Sequence, residues 1–74
     1  MENQLRKLRE EKGLTQLELA NLLKSNQRTV SKWERGKSTP KPSQMQFLED
    51  YFHTPKEEIF FEAFNYKMLL NGRM

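Results

Sequence analysis

The sequence predicts an all-α fold, a compact domain of five short helices. Three observations carry this. Apolar residues recur three and four apart, as in Leu19, Ala20 and Leu23 or Met45, Leu48 and Phe52, which places them on one face of a helix. Capping side chains stand three residues ahead of a glutamate or glutamine at Thr15/Glu18, Ser43/Gln46 and Thr54/Glu57, the reciprocal arrangement that opens a helix. Helix-stopping residues follow the periodic runs, with Gly13 and Gly36 able to take left-handed backbone.

Taken in order, helix one is expected over about residues 3–12, with Leu5 and Leu8 facing inward; Gly13 ends it and Leu14 returns to the core. Helix two opens at the Thr15/Glu18 box and buries Leu19, Ala20 and Leu23. Helix three starts near Asn26, a good cap, presents Val30 and Trp33 on one face and stops at Gly36. Its spacing from Val30 makes Trp33 a core residue in preference to an exposed ring that stacks on a base. A loop over 37–43 holds two of the three prolines. Helix four follows Pro42 with Ser43 and Gln46 as its box, carries Met45, Leu48 and Phe52 on one face beside Phe47 and Tyr51, and ends at His53. Thr54 as cap, Pro55 at the first helical position and Glu57 open a short helix five to about Phe60. Beyond it the pattern is ambiguous. Phe61, Phe64 and Met68 suit a helix, whereas Phe64, Tyr66, Met68 and Leu70 alternate as in a strand. The organisation is thus a domain over 1–60 and a tail over 61–74 that covers the core or forms a partner or dimer contact.

With 74 residues the chain supports one small core. It has no cysteine, hence no disulfide framework, thiol nucleophile or cysteine-based zinc site, and a reducing cytoplasm is the expected location. No apolar run approaches the ~18 residues of a membrane span, and the charged start MENQLRKLREEKG is unlike a secretion signal. His53 has no histidine or cysteine companion with which to hold a metal. No paired nucleophile and base or glycine-rich phosphate loop is present, so no enzyme and no cofactor are expected.

The charge is local. From Lys24 to Lys41 the segment holds six of the 13 cationic side chains (Lys24, Arg28, Lys32, Arg35, Lys37 and Lys41) but one of the 10 acids, Glu34, giving +5 there and −2 over the remainder. That cationic surface coincides with two short helices joined by about three residues, the connection of a helix-turn-helix. Concentrated cations on the second helix of such a unit suit phosphate neutralisation on nucleic acid.

Over residues 5–59 the chain resembles the Cro/C1-type helix-turn-helix family of phage and bacterial regulators, the xenobiotic-response-element-like group with the lambda-repressor-like fold. The likeness lies in LRxxxGLTQ (Leu8, Arg9, Gly13, Leu14, Thr15, Gln16), in Leu19-Ala20, in SKWExGKxxP from Ser31 to Pro40, and in Met45, Leu48, Phe52 and Ile59. The resemblance implies a five-helix domain that binds double-stranded operator DNA, with helix three in the major groove and two copies on a palindrome. Two positions depart from it. Lys24 and Ser25 stand in the turn where similar sequences have glycine and then an aliphatic residue, so either Lys24 takes strained left-handed backbone at a cost of roughly 1 kcal/mol or helix two runs on and the turn lengthens. Leu17 and Leu22 stand where polar residues are commoner, as extra core or as a protein-binding patch.

Carried over residue by residue, the resemblance makes Gln27, Arg28, Ser31 and Lys32 base-reading candidates, since Arg28 and Lys32 lie one turn apart on one face. Gln16, Thr29, Arg35, Lys37, Ser38 and Lys41 become phosphate candidates, Gln16 through both side chain and backbone amide at a helix start. Arg9 and Glu34 match an ion pair that ties helix one to helix three. The function implied is a small stand-alone Cro-like transcription regulator, a weak homodimer or a dimer on DNA. The alternative is an interaction module on the same fold, an antirepressor or an antitoxin, that binds a second regulatory protein through Leu17, Leu22 or the tail.

Overall fold

The computed structural model describes residues 3–60, which form five helices and, among the described residues, no strand: α1 (Leu5–Glu11), α2 (Gln16–Leu22), α3 (Gln27–Glu34), α4 (Pro42–Phe52) and α5 (Lys56–Ile59). The expectations for the tail over 61–74 lie outside the described residues.

Helix α1 is shorter than its apolar pattern suggests, and the cause is tertiary. Asn3 accepts the Leu5 N–H at 3.0 Å through Oδ1, while its Nδ2 donates to the Trp33 carbonyl at 2.7 Å and its N–H to the Glu34 carbonyl at 3.2 Å. Drawn toward the open carbonyls at the end of α3, Asn3 seals that end instead of extending α1. Helices α2 and α3 open as expected: Thr15 Oγ1 accepts from the Glu18 N–H (3.1 Å) and Glu18 returns a carboxylate to the Thr15 N–H (2.8 Å), while Asn26 Oδ1 accepts from the Thr29 N–H (2.9 Å).

Four helices stop in the same way. A left-handed residue follows the last turn, and the residue after it donates back across six residues: Leu14 N–H to the Arg9 carbonyl past Gly13, Ser25 to Ala20 past Lys24, Lys37 to Lys32 past Gly36, and Thr54 to Glu49 past His53. Lys24 therefore adopts left-handed backbone (φ 54°), and α2 neither runs on nor hands over through a longer turn. His53 has the same φ of 54°.

Two helix starts differ from the sequence reading. Helix α4 begins at Pro42 with Lys41 as the cap, and the Lys41 N–H donates to Gln44 Oε1 at 2.9 Å; the Ser43/Gln46 box does not form. Proline lacks an N–H and suits the first helical position, which moves the start forward. Gln46 instead donates to Glu49 Oε1 (2.9 Å) and Asp50 Oδ1 (3.1 Å). Helix α5 begins at Lys56, with Pro55 at the cap rather than inside. Thr54 Oγ1 donates to the Phe52 carbonyl (3.0 Å), and the Lys56 N–H is taken by Glu49 Oε2 of α4 at 3.0 Å.

The core consists of Leu5, Leu19, Ala20, Val30, Trp33, Leu48, Phe52, Ile59 and Phe60, with Leu8, Leu14, Leu23, Met45 and Tyr51 packed on it. Each fully buried large side chain contributes about 1.5–3 kcal/mol relative to exposure. Helix α2 lies against α3, α4 against α5, and α1 against α3. Lys12 Nζ sits 5.2 Å from the Tyr51 ring centroid, a cation–π contact between the end of α1 and α4. Leu17 (52% exposed) and Leu22 (44%) are not extra core.

Candidate nucleic-acid interface

The outward face of α3 is built by its two ends and its inner stripe. Asn26 fixes the start, Gly36 the stop, and burial of Val30 and Trp33 sets the roll of the helix. Gln27, Arg28 and Lys32 are then exposed, with Ser31 and Thr29 half-buried beside them. Arg35, Lys37, Ser38 and Lys41 are exposed at the end of α3 and along the loop to α4, whose Pro40 is buried and pins the loop to the domain. Arg35 Nε reaches the Ser31 carbonyl at 3.4 Å. The ion pairs among the described residues are Arg6–Glu10, Arg9–Glu34 and Lys56–Glu49, so no described carboxylate pairs with Arg28, Lys32, Lys37 or Lys41.

Behind this face lies a buried polar network. Arg9 is 8% and Glu34 2% exposed; Arg9 Nε donates to Glu34 Oε2 at 2.5 Å, its second terminal nitrogen to Oε1 at 3.3 Å and its first to the Leu14 carbonyl at 2.7 Å. Removing one partner of such a pair strands a charge in the interior, typically at about 3–5 kcal/mol. Gln16 Nε2 also donates to Glu34 Oε1 (3.1 Å), and Gln27 Nε2 donates to Gln16 Oε1 (3.4 Å). The sole acid of the cationic segment is thus turned inward and satisfied, and the surface keeps its positive sign. The half-buried Gln16 side chain is held in this network, at the start of α2.

The sequence reading missed Arg6. A recess of about 240 Å³ between α1, α2 and α3 is lined by Arg6, Arg9, Gln16, Ser31, Glu34 and Arg35, which brings Arg6 into line with the basic end of α3. Arg6 is also paired with Glu10 at 3.2 Å. Its place one turn before Arg9 was the available signal. The Gln16–Gln27 contact joins residues on separate helices and had none.

Two helices in tandem, the second bearing the exposed cations Arg28 and Lys32, with no carboxylate partner among the described residues, on a face fixed by its packing, define a DNA-binding helix-turn-helix domain. The helix-turn-helix family profile matches residues 5–59, most of the chain. The chain belongs to this Cro/C1-type helix-turn-helix family, a family of DNA-binding regulators. No curated protein matches the chain at a significant level. Among the described residues, no helix is long and apolar enough to cross a membrane.

Proposed function

We propose that this protein is a sequence-specific transcription regulator of the phage or bacterial Cro and repressor kind, which occupies an operator with α3 in the major groove and blocks or redirects polymerase. The observation that carries the reading is the set of exposed cations Arg28, Lys32, Lys37 and Lys41 on α3 and the loop after it, none of which pairs with a described carboxylate. Gln27, Arg28, Ser31 and Lys32 face base edges; Thr29, Arg35, Lys37, Ser38, Lys41 and the Gln16 amide hold phosphates and set register. Two copies, each a monomer or weak dimer in the cytoplasm, sit about 34 Å apart on a palindrome to enter successive major grooves on one side of the duplex.

The test uses duplexes that the protein itself enriches from a randomised pool. Affinity should fall linearly with log salt, and Lys37→Ala or Lys41→Ala should each reduce that slope by about 0.9 on enriched and random duplexes alike. An unchanged slope would return both lysines to solvent. The exposure of Leu17, Leu22 and Phe47 favours a second reading, an antirepressor or antitoxin that captures another protein. Weak, sequence-indifferent DNA binding together with nanomolar capture of a protein partner would select it.

A further inference from the structure

We infer that Lys24, in the turn between α2 and α3, is a further phosphate-binding residue that extends the DNA contact to the N-terminal end of α3. This rests on the operator-binding reading above, in which the phosphate-holding cations all stand at or beyond the other end of that helix: Arg35, Lys37 and Lys41. The major groove is about 12 Å wide and has a phosphate strand on either side. Helix α3, with 8 residues, is about 12 Å long. A cation on the turn before α3 and cations after it are therefore placed for phosphates that neither end reaches alone.

The backbone fixes where Lys24 stands. Its own N–H donates to the Asn21 carbonyl (3.2 Å) and the Ser25 N–H to the Ala20 carbonyl (2.8 Å), while Leu23 and Ser25 on either side are half-buried. Lys24 itself is exposed, and none of the ion pairs among the described residues includes it. At φ 54° a glycine would hold the same turn without strain, as Gly13 and Gly36 do after α1 and α3. The turn itself requires no side chain there. What the lysine adds is an ammonium on a four-carbon stem, a mobile point charge suited to a phosphate. The carbonyl end of α2 also favours a positive charge, and a role confined to that helix is the competing account. Salt dependence separates the two, because steadying α2 in the free protein leaves the number of neutralised phosphates unchanged.

The test measures affinity against salt on duplexes enriched from a randomised pool by the wild-type protein, and on random duplexes. Lys24→Gly and Lys24→Asn, whose new residues tolerate left-handed backbone, should each reduce the slope by about 0.9 on both sets, roughly an eightfold loss of affinity at about 0.1 M salt. Lys24→Arg, which keeps the charge on the same backbone, should restore the wild-type slope. A slope unchanged in Lys24→Gly, or reduced as much in Lys24→Arg, would overturn the proposal and leave Lys24 a residue of the turn alone. Methylphosphonates that replace one phosphate at a time in the enriched duplex then locate the contact. One replacement in each half-site should weaken the wild type but not Lys24→Gly, and it should differ from those to which Lys37→Ala and Lys41→Ala become indifferent; the absence of such a phosphate would equally sink the idea. If the wild type neither enriches the pool nor responds to salt, the operator reading itself fails, whereas a steep wild-type slope with an indifferent Lys24→Gly removes this contact only.

Discussion

At the scale of single residues, the left-handed positions carry the clearest energetic signature. Lys24 and His53 both hold φ at 54°, where a Cβ crowds the following carbonyl and glycine does not suffer. Lys24→Gly and His53→Gly should each raise stability by about 1 kcal/mol, a gain of several degrees in melting temperature for a domain of this size. A melting temperature unchanged or lowered in both variants would show that the turns bear no strain. On the DNA face, Arg28→Ala should weaken operator binding by about 1–3 kcal/mol and relax preference at one base pair in each half-site. Equal loss on random duplexes would make Arg28 a phosphate contact. Residues whose roles depend on neighbours in sequence were legible in advance: Thr15 with Glu18 forms the capping box that their spacing foretold, and Asn26 caps α3 as its residue type foretold. Glu34 gave part of its role through resemblance, but its hold on Gln16 required three separate helices to meet and left no trace in the spacing of the chain.

At the scale of elements, helix interiors and stops were easier to read than helix starts. The stop signals at Gly13, Gly36 and His53 act on the chain locally, and so the ends fell where expected. The starts of α4 and α5 did not. Pro42 pulled one of them forward, and Glu49 on a different helix took the capping role that Thr54 was expected to fill. This interhelix cap has a consequence for pH. The backbone hydrogen bond from Lys56 holds the Glu49 carboxyl below its ordinary value, with the Lys56 ammonium adding to the effect. Because the folded value is the lower one, the stabilisation is fully present above the unfolded carboxylate range and is lost as pH falls through the folded value. Melting temperatures recorded from about pH 7 to about pH 3 should therefore drop less steeply in Glu49→Gln than in the wild type. Parallel curves would mean that the cap is silent toward protons.

At the scale of the whole molecule, one core spans the described residues, since Leu5 at one end and Ile59 and Phe60 at the other are buried together with Leu19, Val30 and Leu48. The fold class and the core positions Leu5, Leu19, Ala20, Val30, Trp33, Leu48 and Phe52 were readable because apolar periodicity fixes which faces turn inward, whereas Ile59 came from the resemblance and Phe60 was not foreseen as core. A chain ending at Phe60 should accordingly keep its helical circular dichroism and a cooperative melt, while losing cooperativity between two copies on DNA or binding to a second protein. An unfolded truncated chain would place the tail within the core and remove the main support for a separate interaction role.

The repeated helix stop has a kinetic meaning. Each of the first four helices ends in a hydrogen-bonded knot formed by its own last turn and the two residues beyond, so its end point is set locally. Two of the main packing contacts, α2 with α3 and α4 with α5, then join helices adjacent in sequence. Little loop entropy has to be spent before contacts form, which places the domain among the low-contact-order folds that assemble in microseconds to milliseconds.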